Sequence, residues 1–541
     1  MQQGALVLRG STERALLHGG YELLERLGAV FPLIGTARLP RIGTDSLDAI
    51  EDFSVEPAFA RRAFASDIMT WHYEDPKRLR FHFEHDRRFI PWMAARGINA
   101  FSYIGHPSDS RLKIGELLAA YQERGIASEY GGHVLQLLLP RDRFNREPDF
   151  FPANEKGVRS RNGNLCVSSA GAVAAVCENA LRCARQNPEG TLWHIWGADV
   201  RQGAWCRCAE CAGLSPQQQH LKVVNAIAAT FASEGTEQCA LAYLAYHDTL
   251  EPDLRGLRPL PNVHFEWAPR QRCYSHTIDD PGCAINPRYY ESLRRYVELF
   301  EGRGHIFEYY ADAILFGGLG IATPAVIAGD LRAYRALGLD SISCLTFGAY
   351  SALAYPVNLE AFVRGTRSPD FEPDKVIADT AAQLHPQCAA EMAQAYRAIA
   401  QASASILDYG GDVMRPKPER GVARLRQAER VALFDQLDRA AAAAEHIVAS
   451  SDDALGAGER LVWRYNRKAI AGIIAFLAAL EASGTDRLTR GEAGLAQVAD
   501  AVTAIHEIQS ELKGTWGTYD IEWIRPIWLE AMRRRLTDSQ V

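Results

Sequence analysis

Long apolar runs are missing from this chain of 541 residues. No stretch approaches the roughly 18 consecutive apolar positions that a membrane-spanning helix needs. The opening Met1-Gln2-Gln3-Gly4 has neither the basic nor the apolar region of a secretory leader. Read as written, the sequence points to the cytoplasm; with a leader lost ahead of Met1 the protein would be periplasmic or secreted. Basic charge is also short: Lys and Arg number 59 against 66 Asp and Glu, a net charge of -7. That balance argues against a nucleic-acid partner held by bulk electrostatics. A disulfide framework is absent too, because the 11 cysteines are odd in number, unevenly spread and few for the length. Most of them read as reduced, buried thiols. No Gly-x-Gly-x-x-Gly follows an early strand, which removes the dinucleotide fingerprint.

What the chain does have is 47% hydrophobic and 23% charged residues, enough for one barrel-sized domain with appendages. Between about residues 85 and 350 an amphipathic helical stretch, a glycine stop and a short apolar strand recur, the pattern of βα units. The strands read as Ala100 to Ile104, a run ending at Glu129, Leu192 to Trp196, Ala240 to Tyr246, Val263 to Glu266, His305 to Tyr310 and Ser341 to Thr346. Arg62 to Ile68 supplies an eighth at the front. Eight parallel strands in order predict an α/β fold, a (β/α)8 TIM barrel, with the open doubly wound sheet as the alternative. The expected domains are a short N-terminal αβ segment over 1–50, the barrel over 51–365 and a helical C-terminal domain over 366–541. The N-terminal segment reads as a strand, Ala5 to Leu8, and a helix, Glu13 to Leu27.

Active sites of such barrels lie at the C-terminal strand ends. The polar residues there are Asp67, His106, Glu129, His133, Asp199, His247, Asp248, Glu266, Arg270, Arg272, Glu308, Tyr309 and Tyr310. Trp71, Trp196, Trp205 and Trp267 interleave with them. Aromatic faces beside carboxylates suit a sugar, and hydrolysis of a glycoside needs one carboxylic acid and usually a second carboxylate. Asp199 and Glu308 are the expected catalytic pair, ending the fourth and seventh strands after apolar runs that would raise a carboxyl pKa. The bland alternatives are a loop-capping Asp199 and a Glu308 that merely pairs with Arg270 or Arg272. Glu129 and Glu266 are reserves, suited to binding hydroxyls. Both arginines facing the pocket would favour a uronic acid.

Trp205-Cys206-Arg207-Cys208-Ala209-Glu210-Cys211 follows the fourth strand. Cys206, Cys208 and Cys211 are candidate zinc ligands with His220 or Cys273 as the fourth; otherwise they are buried thiols bracing the loop. No other cofactor is called for.

Several segments carry a resemblance. Gly19-Gly20-Tyr21 to Gly28 looks like the end of the small domain ahead of β-hexosaminidase and α-glucuronidase barrels. The Trp205 to Cys211 segment with Asn225 beyond it, Gly132-His133, Phe144 to Phe151, Tyr246-His247-Asp248, Arg272-Cys273-Tyr274 and Glu308-Tyr309-Tyr310 resemble the bacterial domain-of-unknown-function family 4838, which includes glycoside hydrolase family 163. The resemblance implies a barrel glycosidase acting on an oligosaccharide or glycoconjugate, in family 163 an endo-β-N-acetylglucosaminidase, with the α-glucuronidases more distant. The sequence departs from the β-hexosaminidase pattern in one respect: Val200 follows Asp199, and no Asp-Glu pair ends a strand.

Overall fold

The computed structural model describes residues 6–41, 43, 49–67, 87–104, 115–200, 203–236, 239–346, 348–406, 427–449, 454–480, 482, 484–511 and 529–537. Eight strands close into a barrel in chain order: β1 (Arg61–Asp67), β2 (Ala100–Ile104), β3 (Ala127–Gly132), β4 (Leu192–Ile195), β5 (Ala240–Ala245), β6 (Val263–Trp267), β7 (Gly304–Glu308) and β8 (Ser341–Thr346). Every pairing is parallel, and Arg61 opposite Ser341 joins β1 to β8. The open-sheet alternative is thereby excluded.

Side chains alternate between the barrel interior and the helix layer, as the two-residue strand period requires. Trp193, Phe265 and Trp267 point outward, where they meet Phe231, Tyr296 and Tyr289 on the surrounding helices. Trp267 is therefore core packing and not the sugar platform expected of it. Local chemistry sets the helix ends. Ser169 accepts from the Ala172 amide, and Ser215 and Gln218 form a reciprocal capping box with Pro216 in the first turn of the Pro216–Ser233 helix.

The N-terminal part differs from the expected αβ segment. The Glu13–Arg26 helix is present, but Leu6 to Leu8 form no strand, and Leu6 and Val7 are exposed; Ala5 lies outside the described residues. Among the described residues no strand edge lies beside Leu6 to Leu8, and a short apolar run without a pairing partner gains nothing from extending. The helix instead docks on the barrel through Glu25 to Arg96 and Glu22 to Arg367.

Beyond the barrel a helical region runs from Pro373–Leu384 through Ala389–Ile406, Gln427–Val448, Ala454–Ala479 and Gly484–Glu511 to Glu530–Thr537. Its buried side chains continue the barrel's own core. It grips the loop after β7: Asn466 accepts from the Gly320 amide at 2.6 Å, Ser403 from Ala322 at 3.1 Å, and the Tyr465 hydroxyl donates to the Gly317 carbonyl at 2.7 Å. A Cβ on Gly320 would sit 2.8 Å from the Trp463 ring, so only glycine fits there. No helix among the described residues is long and apolar enough to cross a membrane.

Candidate active site at the barrel mouth

A column of alternating charge fills the barrel axis. At its base Arg61 forks onto both oxygens of Glu129, with both contacts at 2.5 Å. Burial works to raise the Glu129 carboxyl, but Arg61 and His194 overcome it and hold it far below the ordinary range. His194 stands next, its Nε2 3.3 Å from Glu129 and its Nδ1 2.8 Å from Glu266. Burial opposes its charge, yet the two carboxylates raise its pKa to about 9, so it is an imidazolium at neutral pH. Glu266 Oε2 also accepts from the Trp196 indole at 2.8 Å, while its Oε1 is buried with no hydrogen-bond partner among the described residues. Gly131 permits this column: a Cβ there would fall 2.2 Å from the His194 carbonyl oxygen, and its φ is +109°. Glu129 thus seals the interior and does not reach the mouth, contrary to the expected hydroxyl-binding role.

Above Glu266, loops after β3 to β7 form the mouth. Asp199 is exposed at 58%, with His247 Nε2 3.5 Å from its carboxylate. Partial burial pushes its pKa up, but the His247 hydrogen bond and the influence of His133 and Arg270 win and set it at about 2. The expectation of a raised pKa at Asp199 fails because polar partners outweigh the apolar run before it. Asp248, on the turn His247–Thr249, behaves oppositely: burial raises it despite His247 and Arg207. His133, Tyr246, His247 and Asp248 share one crevice, backed by Trp205 and His220. His133 Nδ1 contacts the Gly197 carbonyl at 2.5 Å, and the His247 ring lies 3.7 Å from that of Tyr246. His247 holds φ +48°, a left-handed conformation that costs a non-glycine residue about 1–2 kcal/mol. Arg270 is anchored by Asp312 at 2.8 Å, below Tyr309. Asp67 ends β1 with its side chain outside the described residues, as are His106 and Trp71 altogether.

Glu308 is not at the mouth. It points into the helix layer, fully buried, where Arg272 Nε lies 3.2 Å away and Tyr334 on the Pro324–Ala336 helix donates to it. Tyr274 donates as well, at 3.4 Å. Arg272 also pairs with Asp330, which accepts from the Tyr310 hydroxyl at 3.0 Å and the Ile278 amide at 2.7 Å. Glu308, Arg272 and Tyr310 therefore form a buried ionic knot, correcting the expected catalytic and substrate-binding roles. With Arg272 here and Arg270 bound to Asp312, the two-arginine case for a uronic acid falls.

Four cysteines gather behind the crevice. Cys166, Cys206, Cys208 and Cys211 place their sulfurs within 4.8 Å of one another, a group able to hold a structural metal. The fourth member is Cys166, before the Ala170–Gln186 helix, and neither of the expected residues: His220 bonds the Ile195 carbonyl at 2.7 Å, and Cys273 groups with His276 and Cys283. Sequence spacing hid Cys166, which is 40 positions upstream of Cys206. His194 and Asp312 were also missed. His194 was legible in principle, since it shares its face with Trp196 at a spacing of two.

A closed eight-stranded parallel barrel with a carboxylate-bearing mouth defines the (β/α)8 class, a fold shared with glycoside hydrolases. Within it, the chain belongs to the family described as domain of unknown function DUF4838, whose model matches residues 36–344. No curated protein matches the chain significantly. Among solved structures it is similar to a GH138 enzyme targeting pectin rhamnogalacturonan II, at 9% identity and TM-score 0.52 over 88% of this chain and 66% of that one. The chain thus spans slightly under two thirds of that enzyme. It is also similar to a Thermobaculum terrenum O-GlcNAc hydrolase mutant, at 10% identity and TM-score 0.42 over 88% and 95%, and to a Vibrio harveyi GH20 exo-β-N-acetylglucosaminidase, at 10% and 0.38 over 71% and 64%. At 9% identity the likeness to the GH138 enzyme is one of fold alone.

Proposed function

We propose that the protein is a glycoside hydrolase cleaving a glycosidic bond of an oligosaccharide or glycoconjugate, with Asp199 as the ionised carboxylate and Asp248 as the acid. The observation that carries the assignment is their opposite displacement: Asp199 lowered to about 2, Asp248 raised by burial, the two flanking His247 at adjacent strand ends. Carboxyls pushed apart by their surroundings divide the work of acid and base. Glu266, with one buried oxygen unpaired among the described residues and the other held by Trp196, suits a sugar hydroxyl. The family resemblance favours an N-acetylglucosamine glycan as the first substrate to try.

The test is turnover of N-glycans and of activated aryl glycosides by wild type, Asp199→Asn and Asp248→Asn. Loss of the acid should abolish cleavage of natural glycans by about 10²-fold or more while sparing aryl glycosides whose leaving group needs no proton. Asp199→Asn should lose both. Full turnover of natural glycans by either variant would sink the assignment, and no turnover by wild type on any substrate would favour a barrel that binds glycans without cutting them.

A further inference from the structure

We propose that Cys166, Cys206, Cys208 and Cys211 bind one zinc ion as a structural tetrathiolate site that pins the loop carrying Asp199. The inference does not rest on the hydrolase reading. Cys166 Sγ lies 3.7 Å from Cys208 Sγ and 3.8 Å from Cys211 Sγ. A tetrahedron of zinc–sulfur bonds near 2.3 Å has edges of about 3.8 Å, so Cys166 already stands at ligand spacing from Cys208 and Cys211, with all four sulfurs within 4.8 Å of one another. Three of the four are buried.

The surroundings suit a doubly negative tetrathiolate centre. The Ala153 amide points at Cys206 Sγ from 3.4 Å, Arg159 Nη1 stands 3.6 Å from the same sulfur, and the Ser168 hydroxyl is 3.0 Å from Cys211 Sγ. Donors and a cation around the sulfurs are what such ligands require in their outer contacts. With four thiolates and no open position, the site is closed to substrate, which separates it from a catalytic metal.

The consequence for the mouth follows from chain connectivity. Cys166 is two residues after Asn164, whose Oδ1 accepts from the Ala198 amide at 2.7 Å, next to Asp199. Asn164 also donates its own amide to the Ala204 carbonyl at 2.9 Å, just before Cys206. The ion would therefore join two loops that together hold Asp199 in place.

Metal analysis of the purified full-length protein should find about one zinc per chain. Cys211→Ser should lose it, and Cys283→Ser, which lies in the separate Cys273, His276 and Cys283 group, should keep it. Should Cys211→Ser fail to fold, cobalt exchange into wild type gives the visible and sulfur-to-metal bands of a tetrathiolate centre. Removing the ion with a chelator should speed amide exchange at Ala198. Absence of stoichiometric metal, iron in place of zinc, or zinc lost only from Cys283→Ser would overturn the site. Unchanged exchange at Ala198 would overturn the pinning.

Discussion

Arg272 shows what a single buried charge does in this fold. It neutralises Glu308 and Asp330 where none of the three reaches water. Arg272→Met should leave two carboxylates unpaired and lower the unfolding free energy by about 3–5 kcal/mol, read by urea denaturation. Glu308→Gln should lower stability while leaving turnover per folded molecule near wild type, the reverse of Asp199→Asn. His194 makes a pH signature. Its pKa rises from about 6.5 in the unfolded chain to about 9 in the fold. Its contribution is complete below pH ~6.5 and is lost as pH climbs through 9. Denaturation midpoints should fall across that window in wild type, and His194→Gln should flatten the fall. At this scale the sequence was only partly legible. Position after an apolar run brought Asp199, His133, His247 and Asp248 to one end of the barrel, but it could not say which face Glu308 takes or what would surround Asp199.

Strands were far more legible than side-chain direction. Ala100–Ile104 and Ser341–Thr346 match their expected bounds to the residue, because apolar runs between helix-stopping glycines leave few alternatives. Parity was the missing information: on β7, His305 turns inward to Ser341, which sends Glu308 outward to Tyr334. A short strand buried on both faces has no polar alternation from which to read this. The N-terminal strand was misread because an isolated apolar run says nothing about a pairing partner. Gly131→Ala should be severe, since the added methyl strikes the β4 backbone at His194; loss of the cooperative unfolding transition or a drop of several degrees in Tm would show it. Ser215→Ala, which removes the cap on the Gln218 amide and the hydrogen bond to the Asp253 carbonyl, should cost about 2 kcal/mol by the same measurement.

Over the whole molecule, barrel and C-terminal helices share one core, as the lack of any low-complexity linker between the two compositionally distinct stretches predicts. The helices hold Gly317 to Ala322, and this same loop brings Asp312 to Arg270 beside the mouth. Trp463→Ala should therefore destabilise by about 3–5 kcal/mol and lower turnover as well, although Trp463 belongs to the helical region and packs on Gly320. That grip also limits what can be exchanged between relatives. Residues 309–323 and the Ala454–Ala479 helix are packed as one unit through Asn466, Tyr465 and Trp463, so a chimera that imports the loop without its helix should express poorly, whereas one that carries both should recover.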